Sequence, residues 1–222
     1  MATPAKIRFR GRPARQAESR ERRRSILEAA LRLIVRDGMR GVRHRAIAEE
    51  AGVPLAATTY YFRDLDDLIS DAFNLYAEDT LTESTSLESS ALSVLERYAG
   101  GEIELPDERE GLVRALSRRL VAHVRSQVER RDERILEHAF RNEALRNPKL
   151  AVVSEIPQAR MLAALAGFLE RCGSADPEAD AQIIFGFVLN LEYQVLLGSV
   201  DDALMERSVR RMVRHVLGVR GD

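Results

Sequence analysis

The chain has 222 residues, 45% of them hydrophobic and 31% charged, enough apolar material for a sizeable core. No run of about 18 apolar residues marks a membrane span. No apolar stretch follows the Arg-rich N-terminus to make a signal peptide, and a single cysteine, Cys172, leaves no thiol pair for a disulfide or a metal. A cytoplasmic protein is expected, with Cys172 a small core residue. The net charge of −1 hides a split. Residues 1–63 hold 15 Lys and Arg against 6 Asp and Glu, and residues 64–222 hold 19 against 29, so a +9 N-terminal quarter precedes a −10 body. That asymmetry fits a chain that docks one end on a polyanion and keeps the rest away from it.

Residues 1–17 contain Pro4, Gly11 and Pro13 and no periodic apolar positions. They are expected to form a flexible basic arm, with Lys6, Arg8, Arg10, Arg12 and Arg15 recurring along it. Such an arm follows a DNA backbone or enters a minor groove; a solvated tail is the other reading. A first helix is expected from about Glu18 to Arg36, with Ile26, Leu27, Ala30, Leu31, Ile34 and Val35 on its buried stripe and Gly38 just past its end. Arg20, Arg22, Arg23 and Arg24 crowd its first turns, where positive charge opposes the helix dipole. A polyanionic partner would offset that cost; a solvated basic face is the alternative.

Met39–His44 turns the chain, with Val42 as a core anchor, and Arg45–Tyr61 then reads RAIAEEAGVPLAATTYY. Ile47, Ala48 and Ala51 share one face of a short helix. Gly52 suits a sharp turn, Val53 can plug the corner, and Pro54 suits the first turn of a second short helix, Leu55 to about Tyr61. Two short helices joined by a Gly-containing turn form a helix-turn-helix, whose second helix presents its N-terminal residues to base edges in the major groove. Leu55, Ala56, Ala57 and Thr59 are small or hydroxyl-bearing, so the backbone can approach the groove floor; apolar groups can meet a thymine methyl and Thr either base class. Tyr60 and Tyr61 can reach phosphate oxygens, and Arg43 and Arg45 face the place where a phosphate strand would cross. A plain helical corner of an all-α protein stays open beside this reading.

Phe62 is expected to be buried, and Asp64, Asp66 and Asp67 begin a fourth helix with charge that suits its dipole. Its apolar face is Leu65, Leu68, Ile69, Ala72, Phe73 and Tyr76.

Residues 20–75 resemble the DNA-binding domain of the TetR family of bacterial transcription regulators. The resemblance is carried by Val42, Arg45, Ile47, Ala48, Ala51, Gly52, Val53, Tyr60, Tyr61, Phe62, Asp66, Asp67 and Leu68. It implies a homodimer that binds a DNA operator and is released by a small ligand held in the C-terminal domain. It also implies DNA contacts at Arg45, Leu55, Ala56, Ala57, Thr59, Tyr60 and Tyr61. The chain departs from the family pattern at Arg43, where Thr or Ser is usual, at Leu65, where Lys is usual, and at Thr59, more often Tyr; Arg43, Arg63 and the arm are expected to compensate.

Beyond residue 80 the chain reads as further helices. Leu81 to about Glu104 mixes Ser, Thr and Glu with apolar residues and is broken at Gly100-Gly101. Pro106–Val128, Arg131–Leu145 and Lys149–Cys172 follow, the last with a bend expected at Pro157. Pro177–Leu197 is apolar nearly all round, which indicates burial on most sides, and Val200–Leu217 is its partner. These two helices, about 177–217, suit a four-helix bundle across a two-fold axis; the first could instead be the central helix of a monomer.

No catalytic constellation, metal spacing or cofactor motif is visible, so neither an enzyme nor a metal or cofactor is expected. Polar and aromatic groups on apolar helices supply a candidate ligand pocket: Phe73, Tyr76, His123, Phe140, Asn190 and Tyr193. The fold class is all-α: a helix-turn-helix domain over 18–63, then a helical ligand-binding and dimerisation domain over 64–222. The expected protein is a homodimeric repressor released from a palindromic operator by a small molecule, with no membrane partner. An architectural DNA-binding protein without sequence choice, or an activator of the same family, are the alternatives.

Overall fold

The computed structural model describes residues 9–13, 16–78 and 106–219, with backbone alone for 106–108, 149, 152–154, 156 and 157. The expected segment Leu81–Glu104, with Gly100-Gly101, lies outside the described residues, as do Lys6, Arg8 and Arg15. Every described regular element is helical, as the sequence predicts. In chain order these are α1 (Ala17–Asp37), a 3-10 turn (Met39–Gly41), α2 (His44–Ala51) and α3 (Leu55–Tyr61). Next come α4 (65–78 as far as described), α5 (Pro106–Glu129) and α6 (Arg131–Ala144). The last three are α7 (Pro148–Arg171), α8 (Pro177–Leu196) and α9 (Asp202–Val216).

The helices fall into two compact units. One takes Met1–Thr82 and Asp132–Gln158, the other Glu83–Arg131 and Ala159–Asp222. The division therefore does not fall at 63/64. The reason is α4, which is buried on every side from Asp67 to Ala77, its polar Asp67, Ser70, Asp71 and Asn74 included. It joins α1, α2, α3, α6 and the start of α7 in one core built on Ile26, Leu33, Ile34, Ile47, Phe62, Leu68 and Phe140. Each such side chain contributes about 1.5–3 kcal/mol by leaving water. Phe73, Tyr76 and Phe140 meet within it, with ring centroids 4.4 Å apart for Phe73–Phe140 and 5.9 Å for Tyr76–Phe140. The Tyr76 hydroxyl donates to the Glu133 carbonyl at 3.2 Å. Asp64 caps α4, its carboxylate accepting from the Asp67 amide at 2.7 Å. Pro157 lies inside α7 without ending the helix, one residue before the unit boundary.

In the second unit, α9 is strongly amphipathic: Met205, Val209, Met212, Val213 and Val216 are buried. They pack with Val113, Val121 and Val124 of α5, Leu169 of α7 and Leu191 of α8. Asp176 and Asp201 cap α8 and α9, accepting from the amides of Ala179 (3.1 Å) and Leu204 (2.7 Å). Arg125 clamps α5 to α9 through Asp202 and Glu206, each at 3.0 Å, and Arg214 returns to Glu110 at 2.6 Å. The expectation that α8 is covered on most sides does not hold within one chain. Ile183, Gly186, Asn190, Tyr193 and Leu197, spaced by threes and fours along one stripe, are all exposed.

Candidate nucleic-acid interface

The geometry of α2 and α3 begins at Gly52. It adopts the left-handed conformation (φ 65°, ψ 32°) and donates back to the Ala48 and Glu49 carbonyls, which stops α2 and turns the chain. The Val53 amide also reaches Ala48 O, at 3.0 Å. Pro54 sits at the N-cap of α3, one position before the helical turn expected for it, and its carbonyl accepts from Ala57 N at 2.8 Å. Thr58 then ties the two helices together. It is fully buried; its hydroxyl donates to Leu55 O at 2.8 Å and meets His44 Nδ1 at 3.1 Å. Neither residue figures among the sequence-derived site residues, because a buried Thr beside an exposed one looks the same in the sequence. The spacing to Leu55 and Ala56 is the one signal that could separate them.

With Thr58 turned inward, Leu55, Ala56, Thr59 and Tyr60 share the outward face of α3. Leu55 is 49% and Tyr60 56% exposed. Ala57 is half-buried against the core. Tyr61 departs from the expectation of a phosphate contact: it is buried, and its hydroxyl is 2.9 Å from Ser19 Oγ of α1. The next position along the helix faces inward because 61 lies one turn from 58. Arg43 is exposed at the N-cap of α2 and gives no side-chain cap. The Arg45 side chain is 85% exposed, with only a loose pairing to Glu49 at 3.4 Å. Arg63 is exposed but engaged by the buried Asp67, which accepts from its Nε at 2.8 Å and raises its pKa. Arg43, Arg45, Leu55, Ala56, Thr59 and Tyr60 thus reach solvent around the helix-turn-helix, while Tyr61 does not.

The arginines of α1 are not the uncompensated cluster that their crowding implies. Arg22 pairs with Glu18 at 3.3 Å, Arg24 with Glu28 at 2.7 Å, and Arg23 with the buried Asp71. Farther along, Glu50 of α2 accepts from Arg32 (2.8 Å) and Arg36 (2.9 Å) of α1, and these two guanidinium groups hold its carboxyl below the ordinary value. The arm is not free where it is described: Phe9–Pro13 lies against the domain, with Arg12 N donating to Tyr61 O at 2.7 Å and its guanidinium 4.6 Å from the Tyr60 ring centre.

The second unit forms a half-open cavity of about 420 Å³ lined by α5, α7, α8 and α9. Leu116, Leu120, Leu165, Phe168 and Met212 make its wall apolar, and Arg119, His123 and Ser126 are its polar groups. His123 Nε2 lies 3.4 Å from the buried Glu192. Of the six residues expected to share a pocket, only His123 lines this cavity. Phe73, Tyr76 and Phe140 are core residues of the first unit, while Asn190 and Tyr193 face outward from α8. Aromatic and polar residues on apolar helices served three different purposes, and periodicity along each helix could not sort them. Among the described residues, no group of His, Cys, Asp and Glu could hold a metal ion, and no helix is long and apolar enough to cross a membrane.

Residues 26–72 match the family described as bacterial regulatory proteins of the tetR family, and residues 107–219 match the tetracyclin repressor-like C-terminal domain. The HTH-type transcriptional regulator PksA of Bacillus subtilis (strain 168) is 41% identical over 64 residues, 29% of this chain; the match spans 31% of that relative's length. A transcriptional regulator from Rhodococcus sp. Rha1 has the same fold, with a TM-score of 0.63 at 18% identity over 90% of this chain and 99% of that one. The multidrug binding protein EbrR complexed with proflavin is similar at 26% identity, a TM-score of 0.51 and coverage of 88% of this chain and 99% of its own.

Proposed function

Because this chain belongs to the TetR family of DNA-binding bacterial regulatory proteins, we propose that it is a homodimeric repressor that leaves a palindromic operator when a small organic effector binds. The observation that carries the reading is the outward face of α3. Leu55, Ala56, Thr59 and Tyr60 are exposed together, with Arg43, Arg45 and Arg12 exposed on the same domain. Small apolar and hydroxyl groups read base edges, while the arginines and Tyr60 meet phosphate and set the register. Arg63 contributes only by sharing its guanidinium with Asp67.

Dimerisation is supported by the exposed α8 stripe of Ile183, Gly186, Asn190, Tyr193 and Leu197. An apolar helix face of this kind packs against a two-fold copy of itself, aided by the small residue at 186. The cavity of about 420 Å³ falls in the range of small-molecule sites, and the proflavin bound to EbrR is a precedent for an effector of that size. An effector that changes the spacing of the two recognition helices needs a coupling of about 1–3 kcal/mol to switch the operator.

Selection from random duplexes, followed by footprinting, tests the reading. The result expected is a palindrome with half-sites about 34–36 Å apart, centre to centre. Binding that ignores sequence and falls equally steeply with salt on every duplex would replace it with an architectural role.

A further inference from the structure

Among the buried polar groups that the function just proposed does not use is the carboxylate of Asp71 on α4. It is fully buried, and it holds three donors that come from two distant parts of the chain. Arg10 N donates to its Oδ1 at 2.6 Å, Gly11 N to its Oδ2 at 2.7 Å, and the Arg23 guanidinium of α1 pairs with Oδ2. A buried carboxylate needs such partners to remain ionised. Here two of them are backbone amides of the arm, so satisfying Asp71 fixes the arm's path.

That path leaves no room for a side chain at residue 11. A Cβ on Gly11 would lie 2.7 Å from Phe62 Cε1, 2.8 Å from Cδ1 and 3.0 Å from Asp71 Oδ2. Phe62 is among the largest fully buried side chains and has nowhere to move. On either side of the glycine the arm is pinned again. The Phe9 ring lies 5.1 Å from the Arg23 guanidinium carbon, and Arg12 donates to Tyr61 O at 2.7 Å. The consequence lies at the recognition helix: the Arg12 guanidinium is stacked 4.6 Å from the ring centre of Tyr60, on the exposed face of α3, and Arg10 is exposed two residues before it.

We infer that Asp71 and Gly11 are positioning residues for DNA binding: they seat the arm before DNA arrives, so that Arg10 and Arg12 meet phosphates beside the recognition helix without an ordering cost. This inference rests on the proposed DNA reading. The ligand is the phosphate backbone flanking the bases that α3 contacts. Fixing the arm's backbone, and the Arg12 guanidinium over Tyr60, in advance raises affinity by removing the entropy a loose arm would lose on binding.

The test uses the full chain, Gly11→Val and Arg12→Ala singly and together, and Asp71→Asn as a second route to the same release. Amide hydrogen exchange in the DNA-free protein is read first. Residues 10–12 should be protected in the wild type and exchange fast in Gly11→Val and Asp71→Asn, and Gly11→Val should melt lower as well, because displacing the arm strips the buried Asp71 carboxylate of two amide donors. Binding to the selected duplex is then measured against salt. Arg12→Ala removes one phosphate contact per protomer, so the slope of log affinity against log salt should fall by about 2 per dimer. Gly11→Val should lower it by more, about 3 to 4, as Arg10 is lost too. Adding Arg12→Ala to Gly11→Val should change nothing further. An Arg12→Ala effect of the same size in both backgrounds, or fast exchange in the wild type, would overturn the inference while leaving operator recognition standing. A wild type that prefers no duplex, with residues 10–12 still protected, would instead remove the DNA reading beneath it.

Discussion

Thr58 and Thr59 are neighbours of identical chemistry with opposite environments, and replacing each by Val separates packing from reading. Val keeps the shape of Thr and removes the hydroxyl. At Thr58 the hydroxyl is fully buried, donates to Leu55 O at 2.8 Å and meets His44 Nδ1 at 3.1 Å. Its loss removes two hydrogen bonds and leaves His44 without its partner on α3, a cost of about 1–3 kcal/mol. At Thr59 the hydroxyl is exposed and only reaches Ala56 O at 3.2 Å, so Thr59→Val should stay within about 0.5 kcal/mol of the wild type. Urea unfolding followed by circular dichroism measures both. A stable Thr58→Val, or a Thr59→Val that loses more than its neighbour, would refute the inward turn of Thr58 and with it the face assigned to α3.

Three further outcomes follow from the charge and burial of individual groups. Glu50 has a lowered pKa because Arg32 and Arg36 hydrogen-bond to it; its contribution is present above the ordinary carboxylate value of about 4.3 and is lost as pH falls through the folded value. Glu50→Gln should therefore lower stability at neutral pH and flatten part of the acid decline, and an unchanged pH profile would show the bridge to be idle. Burial raises the Cys172 thiol to about 11 from an ordinary 9.0, so it carries about 100-fold less thiolate at neutral pH and should alkylate slowly in the folded protein but at the normal rate in urea. Fast alkylation of the native chain would contradict its packing. Ile183→Arg or Tyr193→Arg places a charge on the exposed α8 stripe; light scattering should then report monomers with weakened operator binding, and a persistent dimer would move the interface elsewhere.

How much of this could be read in the sequence depended on the range of the interactions involved. The helix-turn-helix was legible because its punctuation is local: Gly52 needs a left-handed turn, Pro54 begins a helix, and Asp64 caps the next one within three residues. The fate of the arm was not, since it depends on Asp71, some sixty positions away, and a Gly–Arg–Pro stretch reads as loose chain when its partner is unseen. Of the α1 arginines, Arg23 misled for the same reason, its partner Asp71 being unseen, whereas Arg22 and Arg24 pair with Glu18 and Glu28 one helical turn away, a local spacing that the sequence does show. On α4, the apolar stripe was correct, but nothing in its period tells a cavity wall from a core, so Phe73 and Tyr76 were grouped with His123, which lies in the other unit. The α8 helix shows the converse: its apolar character was plain, and only the structure reveals that one chain leaves a face of it uncovered.

Whether the outward face of α3 chooses bases is read from the ratio of affinities for the selected duplex and for a scrambled one, measured at fixed salt for the wild type and for Leu55→Ala/Thr59→Ala. Each base contact is worth about 1–3 kcal/mol of discrimination, so the variant should lose at least tenfold on the selected duplex and almost nothing on the scrambled one. Equal loss on both duplexes, or none on either, would contradict base choice by α3.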